Sequence, residues 1–217
     1  MAAAPVVIVL AAGAGSRFEG QGHKLTQALG DTTVLGATLR QVIASRLRLV
    51  VVTTSALRDM VKSWVATQDV VVVPSGSPGN GEHLGMGYSI AAGVRSRGDA
   101  SGWLVMPGDM PLVRPATLRT VAAALGHHSV AFAQYQGQRG HPVAFSAELY
   151  SELAVLAGDQ GARRILARYP AAAVEVDDPG VLVDIDTRGD LTAAQAHLPP
   201  SPGVQAAQRD QRDQRLP

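Results

Sequence analysis

Residues 6–18 read Val6-Val-Ile-Val-Leu10-Ala-Ala-Gly13-Ala-Gly15-Ser-Arg17-Phe18, an apolar run that enters a turn of small residues and then a basic side chain. A short continuous apolar run bounded by glycine is the pattern of a strand buried on both faces. Similar valine-rich runs recur at 49–53, 70–73, 103–106, 130–133 and 181–185. Between them, 34–45, 56–66, 88–97, 115–125 and 162–168 carry apolar residues at helical spacing, often after a turn or capping residue. Strand alternating with helix predicts a layered α/β fold around a mostly parallel sheet. In open sheets of this kind ligands bind beyond the carboxyl ends of the strands, so the loops that follow strands are where function is sought.

A chain of 217 residues can bury one good core. No linker divides residues 1–198, which predicts a single domain, whereas 199–217 is Pro, Gln, Arg and Asp with almost no apolar content and is predicted to be a disordered tail. Lys and Arg number 19 against 18 Asp and Glu, so there is no global positive charge to hold a nucleic acid and any phosphate must be met locally. The chain has no cysteine, which excludes disulfides, thiolate nucleophiles and Cys-ligated metal centres and suits a reducing compartment. The apolar run 5–14 is short and contains glycine, unlike a signal peptide or membrane span, which predicts a soluble cytoplasmic protein with no membrane partner.

The turn Gly13-Ala-Gly15 would let backbone N–H groups approach phosphate oxygens closely. Arg17 can grip a phosphate in bidentate fashion and Lys24 can add a point charge, together neutralising a triphosphate as pyrophosphate leaves. The glycines alone are equally explained by a tight strand-to-helix turn. Gly13, Gly15 and Gly20 loosely imitate a dinucleotide fingerprint, but the second strand ends Val52-Thr53-Thr54 instead of in the acidic residue that would hold a ribose.

The fourth strand runs into Pro107-Gly-Asp109-Met-Pro111, a lone carboxylate in a turn stiffened on both sides. Mg²⁺ is commonly held by one or two carboxylates plus substrate phosphates, and Asp109 suits the first ligand; the alternative is an Asx-turn or a cap for the helix at 115. Asp184-Ile-Asp186-Thr187 follows the last apolar run, and period-two spacing in a strand would turn both carboxylates to one side. Asp186 is taken as the second metal ligand, with Asp184 as its rival and capping of the helix at 189–197 as the structural alternative. Gly85-Met-Gly87-Tyr-Ser89 precedes a small-residue helix whose N-terminus could hold an anion or cover a nucleotide, or merely start a helix. Arg139 and His141, in Gly137-Gln-Arg139-Gly-His141-Pro, and Asp159 and Arg163, in Gly158-Asp159-Gln-Gly161-Ala-Arg163, combine flexible backbone with polar groups suited to a phosphorylated acceptor, or to surface turns.

In this order the segments resemble the nucleotidyltransferases related to the molybdenum cofactor guanylyl- and cytidylyltransferases. Leu10-Ala-Ala-Gly13-Ala-Gly15-Ser-Arg17-Phe18 with Lys24 is similar to the family's opening signature, Gly85-Met-Gly87-Tyr-Ser89 to its central glycine motif, and Pro107-Gly-Asp109-Met-Pro111 to its metal-binding turn. The resemblance implies a single Rossmann-like three-layer α/β/α domain of the nucleotide-diphospho-sugar transferase type and Mg²⁺ dependence. It also implies attack by an acceptor phosphate on the α-phosphorus of an NTP, with nucleotide contacts from Leu10, Ala11, Ala12, Gly13, Gly15, Arg17, Lys24, Gly87 and Ser89. Leu-Ala-Ala-Gly in place of the guanylyl branch's Leu-Ala-Gly-Gly, and Gly158-Asp159-Gln-Gly161-Ala-Arg163, lean toward CTP, with molybdopterin carrying molybdenum as acceptor and a molybdoenzyme or maturation protein as possible partner. Other enzymes of the class would use GTP or a sugar or alcohol phosphate, and a cofactor delivery protein would keep the pocket without turnover. The chain departs from the family pattern in the longer Phe-Glu-Gly-Gln-Gly-His spacer between Arg17 and Lys24, and in Thr187-Arg188-Gly189-Asp190 where the family has Thr-Pro-Glu-Asp.

Overall fold

The computed structural model describes residues 4–13, 15, 18, 22–75 and 85–197. The strand β1, Val6–Ala11, is almost wholly buried, and its alternating side chains divide between two cores: Val7, Val9 and Ala11 on one face, Val6 and Ile8 on the other. A short hairpin, β2 (Ala28–Leu29) and β3 (Thr32–Thr33), leads into helix α1, Val34–Ala44, whose N-cap Thr33 accepts a hydrogen bond from Gly36 N at 3.1 Å. There follow β4 (Arg48–Thr53), α2 (Arg58–Lys62), β5 (Val70–Val72), α3 (Gly85–Ser96), β6 (Gly102–Pro107) and α4 (Pro115–Ala124). β7 (Val130–Tyr135) and β8 (Gln138–Ser146) form a hairpin, and α5 (Tyr150–Leu153), α6 (Arg163–Arg168), β9 (Ala171–Glu175) and α7 (Arg188–His197) complete the described chain.

Seven strands form one sheet in the order β5-β4-β1-β6-β8-β7-β9, and only β8 runs against its neighbours. α1, α2, α4 and α7 cover one face through Leu35, Leu39, Val61, Leu118, Val121 and Ala194; α3, α5 and α6 cover the other through Ile90, Val94, Leu153 and Ile165. The result is the expected Rossmann-like three-layer arrangement. Because β4 and β5 are laid down on one side of β1 and β6 on the other, the chain reverses its direction of travel at β1, and a crevice opens there at the carboxyl ends of the strands.

Several elements differ from the sequence expectation. Residues 181–185 are not a strand: Pro179–Leu182 is a 3-10 turn, and the backbone beyond it bonds to the Asp109 turn instead of a sheet edge, Ile185 N donating to Asp109 O at 3.0 Å. The Val-Leu-Val-Asp-Ile alternation imitates a strand because one side of the segment is buried whether or not it joins a ladder. The seventh strand is instead β9, whose Ala-Ala-Ala start has little strand character and which owes its place to parallel pairing with β7. Gly137 lies in a two-residue hairpin turn with Gln136, both at positive φ, so Arg139 and His141 stand in β8 and not in a loop. Gly85 to Ser89 forms the first turns of α3 itself. The proposed tail 199–217 lies outside the described residues, and no helix among them is long and apolar enough to cross a membrane.

Trp103 is fully buried on β6, its Nε1 donating to Arg97 O at 3.0 Å and its ring tilted against Tyr150. Trp103→Ala is expected to lower the unfolding free energy by about 3–5 kcal/mol, through the cavity left, as measured by urea denaturation.

Candidate functional site

Under the crevice lies a cavity of about 1040 Å³, bounded by the ends of β1 and β6, the start of α3, the beginning of β8 and the 179–186 segment. Two backbone approaches shape its floor. Gly108 N donates to Leu10 O at 2.9 Å, and a Cβ at Gly108 would stand 2.9 Å from that same oxygen, so the turn carrying Asp109 is pressed onto the end of β1. Ile185 is fully buried and its bond to Asp109 O draws the second acidic segment to the same place.

There the Lys24 ammonium bridges two carboxylates, donating to Asp109 Oδ2 at 2.5 Å and to Asp186 Oδ1 at 2.7 Å. Burial alone would lower the Lys24 pKa; the hydrogen bonds and charges of Asp109 and Asp186 outweigh it and raise the pKa above the ordinary lysine value. Asp109 Oδ1 is buried and has no hydrogen-bond partner. Among the described residues no three His, Asp or Glu side chains group as a metal cage. Two carboxylates, one with an oxygen left over, fit a hard divalent cation whose remaining ligands come from substrate and water.

Asp184 stands at the exposed rim beside this pair; desolvation, then the charges of Asp186 and Asp109, push its pKa up. Among the expected nucleotide and acceptor residues, Leu10, Ala12, Gly13, Gly15, Ser89, Arg139, His141 and Asp159 also line the cavity. Arg139 and His141 are two apart in β8, with the Arg139 guanidinium 4.7 Å from the Phe132 ring centroid. Burial pushes the His141 pKa down, more than Asp109 pulls it up, so its ring is neutral at neutral pH.

Three expected residues lie elsewhere. Ala11 is fully buried, its carbonyl taken by Thr53 Oγ1 at 3.3 Å. Gly87 packs against Ala157, where a Cβ would meet the backbone at 2.7 Å, and its N–H donates to Gly158 O; it docks α3 on the 157–159 loop. Arg163 is exposed at the start of α6, outside the cavity lining. Arg17 lies outside the described residues.

Sequence reasoning did not find His23, which ties the glycine turn to the Lys24 segment. Its Nδ1 accepts from Leu25 N at 3.2 Å, which leaves Nε2 to donate to Gly13 O at 2.8 Å. The only sequence signal is its place immediately before Lys24 and after a glycine. Thr54, Pro74 and Ser75, at the ends of β4 and β5, also line the cavity and carry no motif at all.

Among curated proteins, the chain is 31% identical over 121 residues to the bifunctional protein GlmU of Zymomonas mobilis, covering 55% of this chain and 26% of GlmU. It is 35% identical over 108 residues to the purine catabolism protein PucB of Bacillus subtilis, covering 48% of this chain and 52% of PucB. The chain therefore matches about a quarter of the first relative and half of the second. Among solved structures, Rv0371c of Mycobacterium tuberculosis H37Rv superposes with a TM-score of 0.73 at 30% identity, covering 90% of this chain and 99% of that one. A further structure of Rv0371c, a complex with manganese, superposes with a TM-score of 0.70 at 30% identity over 90% of this chain and all of that one. The MobA-like NTP transferase domain matches residues 7–174, which include the Lys24 and Asp109 segments of the crevice and end before Asp186, and the chain belongs to that family of nucleotidyltransferases.

Proposed function

We propose that the protein transfers CMP from CTP to a phosphorylated acceptor of the molybdopterin class and releases pyrophosphate. The observation that carries the site assignment is the convergence of Lys24, Asp109 and Asp186 beside the glycine turn at the strand switch point. The lean toward CTP and molybdopterin rests on Leu10-Ala-Ala-Gly13 and the Gly158-Asp159-Gln-Gly161-Ala-Arg163 element.

In this scheme an acceptor phosphate oxygen forms the new bond to the α-phosphorus, and the bond from that phosphorus to the oxygen bridging the β-phosphate breaks. An anionic acceptor needs no deprotonation, so positioning and charge neutralisation suffice without a dedicated base. Leu10, Ala12, Gly13 and Gly15 hold the nucleotide with Ser89 at the start of α3, and Arg17 is assigned to the same phosphates from its place in the sequence. Lys24 has two alternative sets of partners, the carboxylates of Asp109 and Asp186 and, in this scheme, the triphosphate of the nucleotide. With Lys24 turned to the phosphates, Asp109 and Asp186 would hold a divalent cation, Mg²⁺ by preference, which would supply charge stabilisation during the transfer. Arg139, with its guanidinium at the mouth, and the neutral His141 orient the acceptor. Asp159 and Arg163 belong to this assignment by sequence; Asp159 reaches the cavity directly, whereas Arg163 would act only at its approach.

Pyrophosphate release is expected from the purified protein with Mg²⁺, molybdenum-loaded molybdopterin and CTP. It should be far weaker with GTP, ATP or UTP. Release with GTP alone would move the assignment to the guanylyl branch. No release with any nucleotide on this acceptor would favour another phosphorylated acceptor or a delivery role. Asp109→Asn and Lys24→Met should each reduce turnover by about a hundredfold or more while far-ultraviolet circular dichroism stays unchanged.

A further inference from the structure

Asp178 is 2% exposed, a carboxylate sunk between two elements far apart in sequence, with no part in the scheme above. Its Oδ2 accepts from Arg114 N at 2.8 Å and from Thr117 Oγ1 at 2.6 Å, and its Oδ1 accepts from Gly180 N at 3.1 Å. Arg114 is the N-cap of α4 and its own side chain makes no capping bond, so Asp178 supplies the cap from a distance of 64 residues. The Arg114 guanidinium returns the contact by donating to Asp177 O at 2.6 Å.

The same carboxylate thus fixes the beginning of the segment that ends at Asp186. Gly180 follows it so closely against Leu112 that a Cβ would lie 2.3 Å from the Leu112 carbonyl oxygen. Leu112 and Arg114 belong to the connection running from Asp109 to α4, so the two acidic segments are joined at both ends: at Ile185–Asp109 near the cavity and at Asp178–Arg114 behind it. Downstream, Asp190 Oδ2 accepts from the backbone N–H groups of Asp186 and Thr187 at 3.1 and 2.7 Å, and holds the other side of Asp186 from the surface.

A buried carboxylate is costly to desolvate, and the three hydrogen bonds, helped by the Arg114 guanidinium 3.8 Å from Oδ1, offset that cost only while these partners keep their places. An apolar residue at 178 could fill the volume but could not hold α4 and the 179–186 segment to each other. Resting on the metal assignment made above, we infer that Asp178 is a positioning residue, a buried latch that sets the spacing of Asp186 from Asp109 and so the affinity of the carboxylate pair for its divalent cation. It touches neither nucleotide nor cation and acts through backbone alone.

Asp178→Asn separates the two halves of the latch. The amide oxygen can keep the two donors of α4, but its NH₂ then meets the Gly180 N–H, donor against donor, and the 179–186 segment loses its anchor. Thr117→Val is the counterpart, removing one bond on the α4 side and leaving Gly180 held. Mn²⁺ binding by full-length protein, with and without CTP, is followed through the electron paramagnetic resonance signal of the free ion, beside urea denaturation. Asp178→Asn should weaken Mn²⁺ binding about tenfold or more. Thr117→Val should be destabilised yet bind Mn²⁺ as the unaltered protein does. Arg114→Ala, a change at a largely exposed side chain that removes the bond to Asp177 O and the 3.8 Å ion pair with Asp178 Oδ1 while leaving the Arg114 N–H in place, should shift Mn²⁺ binding in the same direction as Asp178→Asn by a smaller factor. It decides the matter if Asp178→Asn does not fold. Equal Mn²⁺ affinity in the unaltered protein and in the folded latch variants, or equal weakening by Thr117→Val, would overturn the latch alone. An unaltered protein that takes up no Mn²⁺ in either condition would overturn the metal assignment and the latch with it.

Discussion

The bridge from the Lys24 ammonium to Asp109 and Asp186 is the constraint on which the crevice depends. Two carboxylates close enough to share one ammonium repel each other by roughly 3 kcal/mol at an effective dielectric of about 20. The fold nevertheless drives them together, since Asp109 sits in a turn pressed onto β1 and Asp186 follows a buried isoleucine bonded to that turn. A single positive charge offsets one of the two negative ones, and Asp184 at the rim adds to the excess. The described floor of the cavity therefore carries more negative charge than Lys24 can balance, which is the condition under which a divalent cation is attracted to oxygen ligands.

Lys24 is able to play this part because its backbone is fixed independently of its side chain. His23 bonds to Gly13 O on one side and caps the Lys24–Thr26 turn on the other, and Leu25 is buried in the core. The ammonium then moves on a four-carbon stem from a fixed root beside the glycine turn, so a change of partner requires rotamer changes and no rearrangement of the sheet. The longer spacer between Arg17 and Lys24 is compatible with this, since the lysine is held by its own neighbours His23 and Leu25.

The sheet was largely legible because strands buried on both faces write themselves as valine runs, and 6–10, 49–53, 70–73, 103–106 and 130–133 all read that way. The same rule misread 181–185, where burial on one side produces an alternating pattern although the hydrogen bonds go to Asp109 O and to a 3-10 turn. It missed β9 because an Ala-rich edge strand is specified by its neighbour and not by its own side chains. Asp109, Asp186 and Lys24 could be picked out singly, but that the lysine would bind the two carboxylates to each other depends on three segments meeting in space. Gly87 shows the reverse case: a glycine motif that looks made for anions is, at that residue, occupied by packing against Ala157.

Arg139 and His141 expose a deeper limit of searching only the loops that follow strands. β8 is the one strand laid down against the direction of its neighbours, so its beginning, not its end, reaches the crevice. Its pairing with β6 stops at Val143 opposite Val105, next to Pro142, which has no N–H to offer a ladder, and its register with β7 shifts between Phe132 and Gln134. Past that point the first residues of β8 are released from β6 and stand free to line the cavity. The crevice is thus walled on one side by strand ends and on the other by a strand start, and the second wall exists because one antiparallel strand was inserted into an otherwise parallel sheet.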